Sequence, residues 1–103
     1  MKTTIAGTEI DVNEEGYLTD PSQWTEAIAE AIAAEEGVGP LNGEHWKVLR
    51  HLREKQAAGE EVTIRRLGKS GVVSTKDLYA LFPGGPLKKA SRIAGIPKPA
   101  GCI

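Results

Sequence analysis

A single cysteine, Cys102, stands in the whole 103-residue chain, next to last. One thiol has no partner within the chain, so no internal disulfide framework supports the fold, and a reducing cytosol is the expected compartment. No apolar run approaches the roughly 20 residues needed to cross a membrane. The opening MKTTIAGTEIDV carries one lysine and no apolar h-region, so no signal peptide is expected. Metal-site patterns are missing as well. There is no HExxH, and His45 and His51 are six apart, on different faces of one helix. Gly84 and Gly85 precede a helix but lack the GxxxxGK[ST] frame of a phosphate loop, and nothing fixes Ser, His and Asp as a triad. The sequence therefore implies no metal and no cofactor. Aromatics make up only 5% of the chain, and Trp24 and Trp46 fall on apolar stripes, which reads as core packing and not as ligand platforms.

What is present is a globular composition, 40% hydrophobic with mixed charge. Its length suits one domain that buries roughly two-thirds of its unfolded surface. The net charge of −1 hides an asymmetry. Residues 1–44 hold ten acids against one lysine, net −9, and residues 45–103 hold twelve bases against four acids, net +8. Two readings follow. Helix faces of opposite sign pair with each other, or the basic half meets an anionic partner or a thiolate.

Along the chain, TTIAGTEIDV predicts an N-terminal hairpin, with Ile10 and Val12 alternating with Glu9 and Asp11. DPSQWTEAIAEAIAAEEG predicts a helix capped by Asp20, with Pro21 first and Gln23 as capping-box partner. Trp24, Ala27, Ile28, Ala31 and Ile32 form its stripe, and Gly37 stops it. Asn42 caps a helix that ends at Gly59. Trp46, Leu49 and Arg53 lie on its stripe, Val48 and Leu52 widen it, and His45 packs or caps near its start. A short turn of helix from Thr63 is expected to be interrupted by Gly68 and Gly71. A helix from Ser74 or Thr75 buries Leu78, Leu81 and Phe82. A last helix from Pro86 turns Leu87, Ala90, Ile93 and Ala94 inward and Lys88, Lys89 and Arg92 outward, and stops at Gly95. Arg65, Arg66 and Lys69 before a second short helix allow a helix-turn-helix that binds DNA, although the acidic N-terminal half opposes tight binding.

Residues 96–103 are left as a C-terminal arm. Ile96 still packs, Pro97 and Pro99 favour extended backbone, and Gly101 is a hinge beside the thiol. A thiol there is accessible, and its thiolate is the nucleophile. Nearby cations lower its pKa, and the terminal carboxylate raises it. Such an arm suits a carrier that enters a partner's site and picks up a group on sulfur.

The stretches EGYLTDPSQW, LNGEHWKVLRHLRE, TIRRLGK and DLYALFPGGPLKKASRIAGIPKPAGCI resemble the DsrC/TusE family of sulfur-relay proteins, over nearly the whole chain. The resemblance implies a mainly α fold. Residues 1–95 would form a small helical domain with an N-terminal β-hairpin and a helix-turn-helix-like core, and residues 96–103 a flexible, mobile arm. It implies that Cys102 carries persulfide sulfur, with Arg65, Lys69 and Lys98 as tail or anion contacts. The chain would be a sulfurtransferase component and not a stand-alone enzyme. The implied partners are donor and acceptor proteins: a TusBCD/DsrEFH-like complex, a tRNA thiolase or a sulfite reductase. Family members that work with dissimilatory sulfite reductase carry a second arm cysteine eleven residues before the last, where this chain has Ser91. Their insertion is also short here, at GKSGVVSTKD. Both departures resemble the TusE side, which relays sulfur toward tRNA 2-thiouridine. Sulfur-energy metabolism and a DNA-binding regulatory module stand as alternatives.

Overall fold

The computed structural model describes residues 1–98. The chain opens with β1 (Lys2–Ile5) and β2 (Thr8–Asp11), antiparallel, with Ile5 opposite Thr8 across an Ala6–Gly7 turn. Both turn residues have positive φ, which matches the right-handed twist of a two-residue hairpin. The alternation buries Ile10 and Val12 against the helices, as the period-2 pattern requires.

The next segment corrects the sequence reading. A 3₁₀ turn covers Pro21–Gln23, Trp24 is extended, and α1 runs only from Glu26 to Glu35, capped by Thr25. Asp20 does cap, but caps the 3₁₀ turn through Ser22. Gln23 is not a capping-box partner. Its amide grips Asp11, accepting from the backbone N–H at 2.7 Å and donating to Oδ2 at 3.0 Å. With Trp24 outside the helix, the buried stripe of α1 becomes Ile28, Ala29, Ile32 and Ala33.

Helix α2 (Gly43–Ala57) follows the prediction. Asn42 caps it in a box closed by His45, and Val48, Leu49 and Leu52 face the core. Helix α3 (Ile64–Lys69) continues through Gly68, where an interruption was expected. A side chain at 68 would fall 2.6 Å from Thr75 Oγ1, so this glycine serves close approach and not helix breaking. Helix α4 (Thr75–Leu81) starts on Ser74 and packs on α3. Helix α5 (Pro86–Ile93) buries Leu87, Ala90, Ser91 and Ile93. It is the centre of the fold, touching α1, α2 and α4. Among the described residues, no helix is long and apolar enough to cross a membrane.

Candidate functional site

Cys102 and Gly101 lie outside the described residues, so the structure defines the site by what leads to it: the end of α5 and residues 94–98. A helix leaves its last four carbonyls without partners. At α5 the first two are taken by the chain itself, in a Schellman motif. Ile96 N–H donates to Ser91 O and Gly95 N–H to Arg92 O, with Gly95 at φ +70°. The other two are taken by side chains from elsewhere. Trp24 Nε1 donates to Ile93 O at 2.8 Å, and Arg53 Nη1 donates to Ala94 O at 2.8 Å.

Arg53 also reaches Pro21 O at 3.1 Å through Nη2, and its guanidinium lies 4.2 Å from the centre of the Trp24 ring. The two donors therefore brace each other by a cation–π contact. Burial lowers the Arg53 pKa from its ordinary value. The bonds to two carbonyls and the ring face are its compensation for lost hydration. Ile96 then packs into the core, 2% exposed, and Lys98 pairs with Glu15 at 2.8 Å. Sequence reading treats Trp24 as scaffold. The signal for the clamp was Arg53, a cation on an apolar helical stripe.

The expected contact residues are not in one place. Arg65 is exposed on α3. Lys69 lines a groove of about 360 Å³ between α2 and α3 with His51, Lys55, Arg66 and Leu67, and Arg65 is not part of its wall. Lys98 sits instead on Glu15, beside a separate cleft of about 250 Å³.

Arg92 is another correction. Its side chain was expected to face outward but is only 13% exposed. It donates to Gly16 O, to Glu36 at 2.5 Å and to Glu35 at 2.8 Å. Burial alone would lower its pKa, and the two carboxylates overcome that, leaving it raised. With Arg50–Glu26 and Lys98–Glu15, these contacts tie the basic half to the acidic half. Part of the charge asymmetry is thus internal pairing.

His45 both caps and packs. Its Nδ1 accepts from Asn42 N–H at 3.1 Å, its Nε2 lies 3.0 Å from Leu81 O, and its ring meets Phe82 edge-on. Both bonds are made by the neutral tautomer with its proton on Nε2. Among the described residues no group of His, Cys, Asp and Glu is arranged to hold a metal ion.

Comparison with known proteins gives a consistent set of relatives. The family model described as "DsrC like protein" matches residues 4–103. The sulfurtransferase TusE of Salmonella typhimurium strain LT2 is 45% identical over 105 residues, covering 94% of this chain and 95% of the relative. A chain in the crystal structure of dissimilatory sulfite reductase I (DsrI) superposes with a TM-score of 0.86 at 33% identity, over 100% of both chains. The NMR structure of Allochromatium vinosum DsrC superposes with a TM-score of 0.81 at 38% identity, again over 100% of both.

Proposed function

The chain belongs to the DsrC-like protein family, and from that premise we propose that it is a sulfur-relay carrier, accepting and delivering persulfide sulfur on Cys102. The observation that carries this reading is the extent of the match. It runs to residue 103 and so takes in Cys102 and the Pro-Lys-Pro run before it. Relatives named sulfurtransferase TusE favour sulfur relay over a regulatory or DNA-binding module.

In the uptake step the Cys102 thiolate attacks the outer sulfur of a donor persulfide. The donor's S–S bond breaks, its thiolate leaves with the bonding pair, and Cys102 holds the sulfur as its own persulfide. Delivery is the same exchange with an acceptor thiolate as nucleophile, so no electrons are gained or lost overall. Gly101 allows close approach, and Pro97 and Pro99 reduce the entropy lost when the arm enters a partner.

Donor and acceptor are proteins of the cytoplasm. A TusBCD/DsrEFH-like complex and a tRNA thiolase are favoured, because Ser91 removes the second thiol that a closed arm would need. A role beside sulfite reductase is the second reading, favoured by the DsrI chain. Incubation with glutathione persulfide, followed by intact mass spectrometry, tests the carrier. The wild type gains one sulfur on Cys102 and Cys102→Ser gains none. An adduct that survives Cys102→Ser refutes it. Capture of a tRNA thiolase or of a reductase by Cys102→Ser from cell extract separates the two partner readings.

A further inference from the structure

We infer that Trp24 and Arg53 are positioning residues: together they fix the direction in which the C-terminal arm leaves the domain. In assigning sulfur to that arm, the inference rests on the function proposed above. The last four carbonyls of α5 accept, in order, from Ile96 N–H, Gly95 N–H, Trp24 Nε1 and Arg53 Nη1. A glycine stop on a surface helix needs no such help, since water satisfies the remaining carbonyls. Here two side chains, 69 and 41 residues away in sequence, supply the last two bonds.

Gly95 is pressed against the same indole. A Cβ built there would lie 2.4 Å from Trp24 Cδ1. The equivalent glycine after α2, Gly59, has φ +75° and nothing within 4 Å of a built Cβ. The wall at Gly95 therefore belongs to the arm root and not to helix stopping in general. Arg53 joins three segments, because it holds Pro21 O and Ala94 O from its place on α2. A lysine cannot span both carbonyls and cover the ring as well. The consequence is a chain direction set by side-chain geometry as far as Ile96, whose side chain is buried. Beyond it Lys98 meets Glu15.

Cys102 is the chain's one cysteine, so a nitroxide spin label can be placed there alone. Four residues beyond Lys98 tether it within roughly 15 Å of that residue's Cα. Paramagnetic broadening of backbone amides then maps where the arm goes. In the wild type, strong broadening is expected at Glu14, Glu15 and Gly16, around the partner of Lys98. In Arg53→Ala that broadening falls about twofold and spreads to other faces, as the population of arm directions widens. Arg53→Lys, which keeps the charge and one donor, gives an intermediate map. Trp24→Phe keeps an aromatic ring and loses the N–H, and it shifts the map in the same sense, which provides the test if Arg53→Ala does not fold.

Maps of folded variants that superpose on the wild type overturn the inference, even if the variants are less stable. A merely structural role lowers stability without moving the map. Glutathione persulfide loading of Cys102, measured in parallel, should be equal in wild type and variants because a small donor needs no arm direction. Loading that fails in the wild type while the maps shift refutes the carrier function and leaves the clamp. Loading that succeeds while the maps stay fixed refutes the clamp alone.

Discussion

Gly95→Ala should cost much more stability than Gly59→Ala, although both glycines end a helix in the left-handed region, at φ +70° and +75°. The backbone term is common to the two: a left-handed non-glycine residue costs about 1–2 kcal/mol, partly offset by the stiffer unfolded chain. At Gly59 nothing else is disturbed. At Gly95 the new methyl sits 2.4 Å from Trp24 Cδ1, 2.9 Å from Cγ and 3.0 Å from Cβ. Ordinary contact requires the indole to retreat by about 1 Å. That retreat breaks the bond from Nε1 to Ile93 O, leaving a poorly hydrated carbonyl at about 1–3 kcal/mol, and loosens the Arg53 stack, at about 0.5–1 kcal/mol. Gly95→Ala should therefore lose about 3–5 kcal/mol and Gly59→Ala about 1 kcal/mol. Urea denaturation followed by far-ultraviolet circular dichroism measures both without using the tryptophans as probes. A gap between them of less than about 1 kcal/mol would falsify the rigid Trp24 wall, since the indole would then have yielded at little cost.

Ser91 Oγ is fully buried and makes no hydrogen bond among the described residues, so Ser91→Ala should stabilise the domain by about 1 kcal/mol, read as a rise in Tm of about 4–8 °C. An unchanged or lower Tm counts against an unpaired hydroxyl. His45→Phe keeps a ring against Phe82 but strands Asn42 N–H and Leu81 O, and should cost about 2 kcal/mol in denaturant. A neutral result would show that solvent reaches both groups. The Gln23 side chain donates to Asp11, and this bond holds the Asp11 carboxyl below its usual 3.8, against the opposing effect of burial and with lesser help from Lys2. A lowered value in the fold means stability that is present above pH 3.8 and lost as the pH falls through the lower folded value. Asp11→Asn should flatten that acid limb, seen by thermal melts across pH 2.5 to 5 taken as an approximate window.

Element order and most boundaries were legible because their signals are local. Asn42, Thr63 and Ser74 each accept from a backbone N–H in the first turn of the helix they precede. Residues 20–25 were misread because the local code there is double. Asp20 and Thr25 are both good caps, and either starts a helix. Tertiary partners decided it: Gln23 bonds to Asp11, and Trp24 to Ile93. Neither partner can be read from a helical wheel. Arg92 failed for the same reason. Its position on α5 points outward, but Glu35 and Glu36 arrive from the end of α1 and cover it. Of the candidate site, Cys102 is offered by residue type and neighbours alone, and its chemistry stands as the proposal made above. The arm root was not legible, because it is assembled from a 3₁₀ turn, α2 and α5. Only the cation on the apolar stripe of α2 pointed to it.

Ser91 connects these observations. In sequence it marks the absence of a second thiol. In the fold its carbonyl accepts from Ile96 N–H, and its side chain faces the core. The carbonyls that follow it are the ones that Gly95, Trp24 and Arg53 occupy. A cysteine substituted at 91 would occupy a buried position whose carbonyl is held in the last turn of α5. Opening that turn breaks the Schellman bonds and both side-chain bonds together. The bonds from Trp24 and Arg53 that hold residues 93 and 94 thus belong to the same turn that encloses position 91. A chain with serine at 91 loses nothing by holding that turn shut, because no thiol there has to be reached. Ser91→Cys makes the coupling measurable. Its new thiol should resist a thiol reagent in the native protein and become reactive when Arg53→Ala is added. Equal reactivity with and without Arg53 would show that the last turn of α5 opens independently of the clamp.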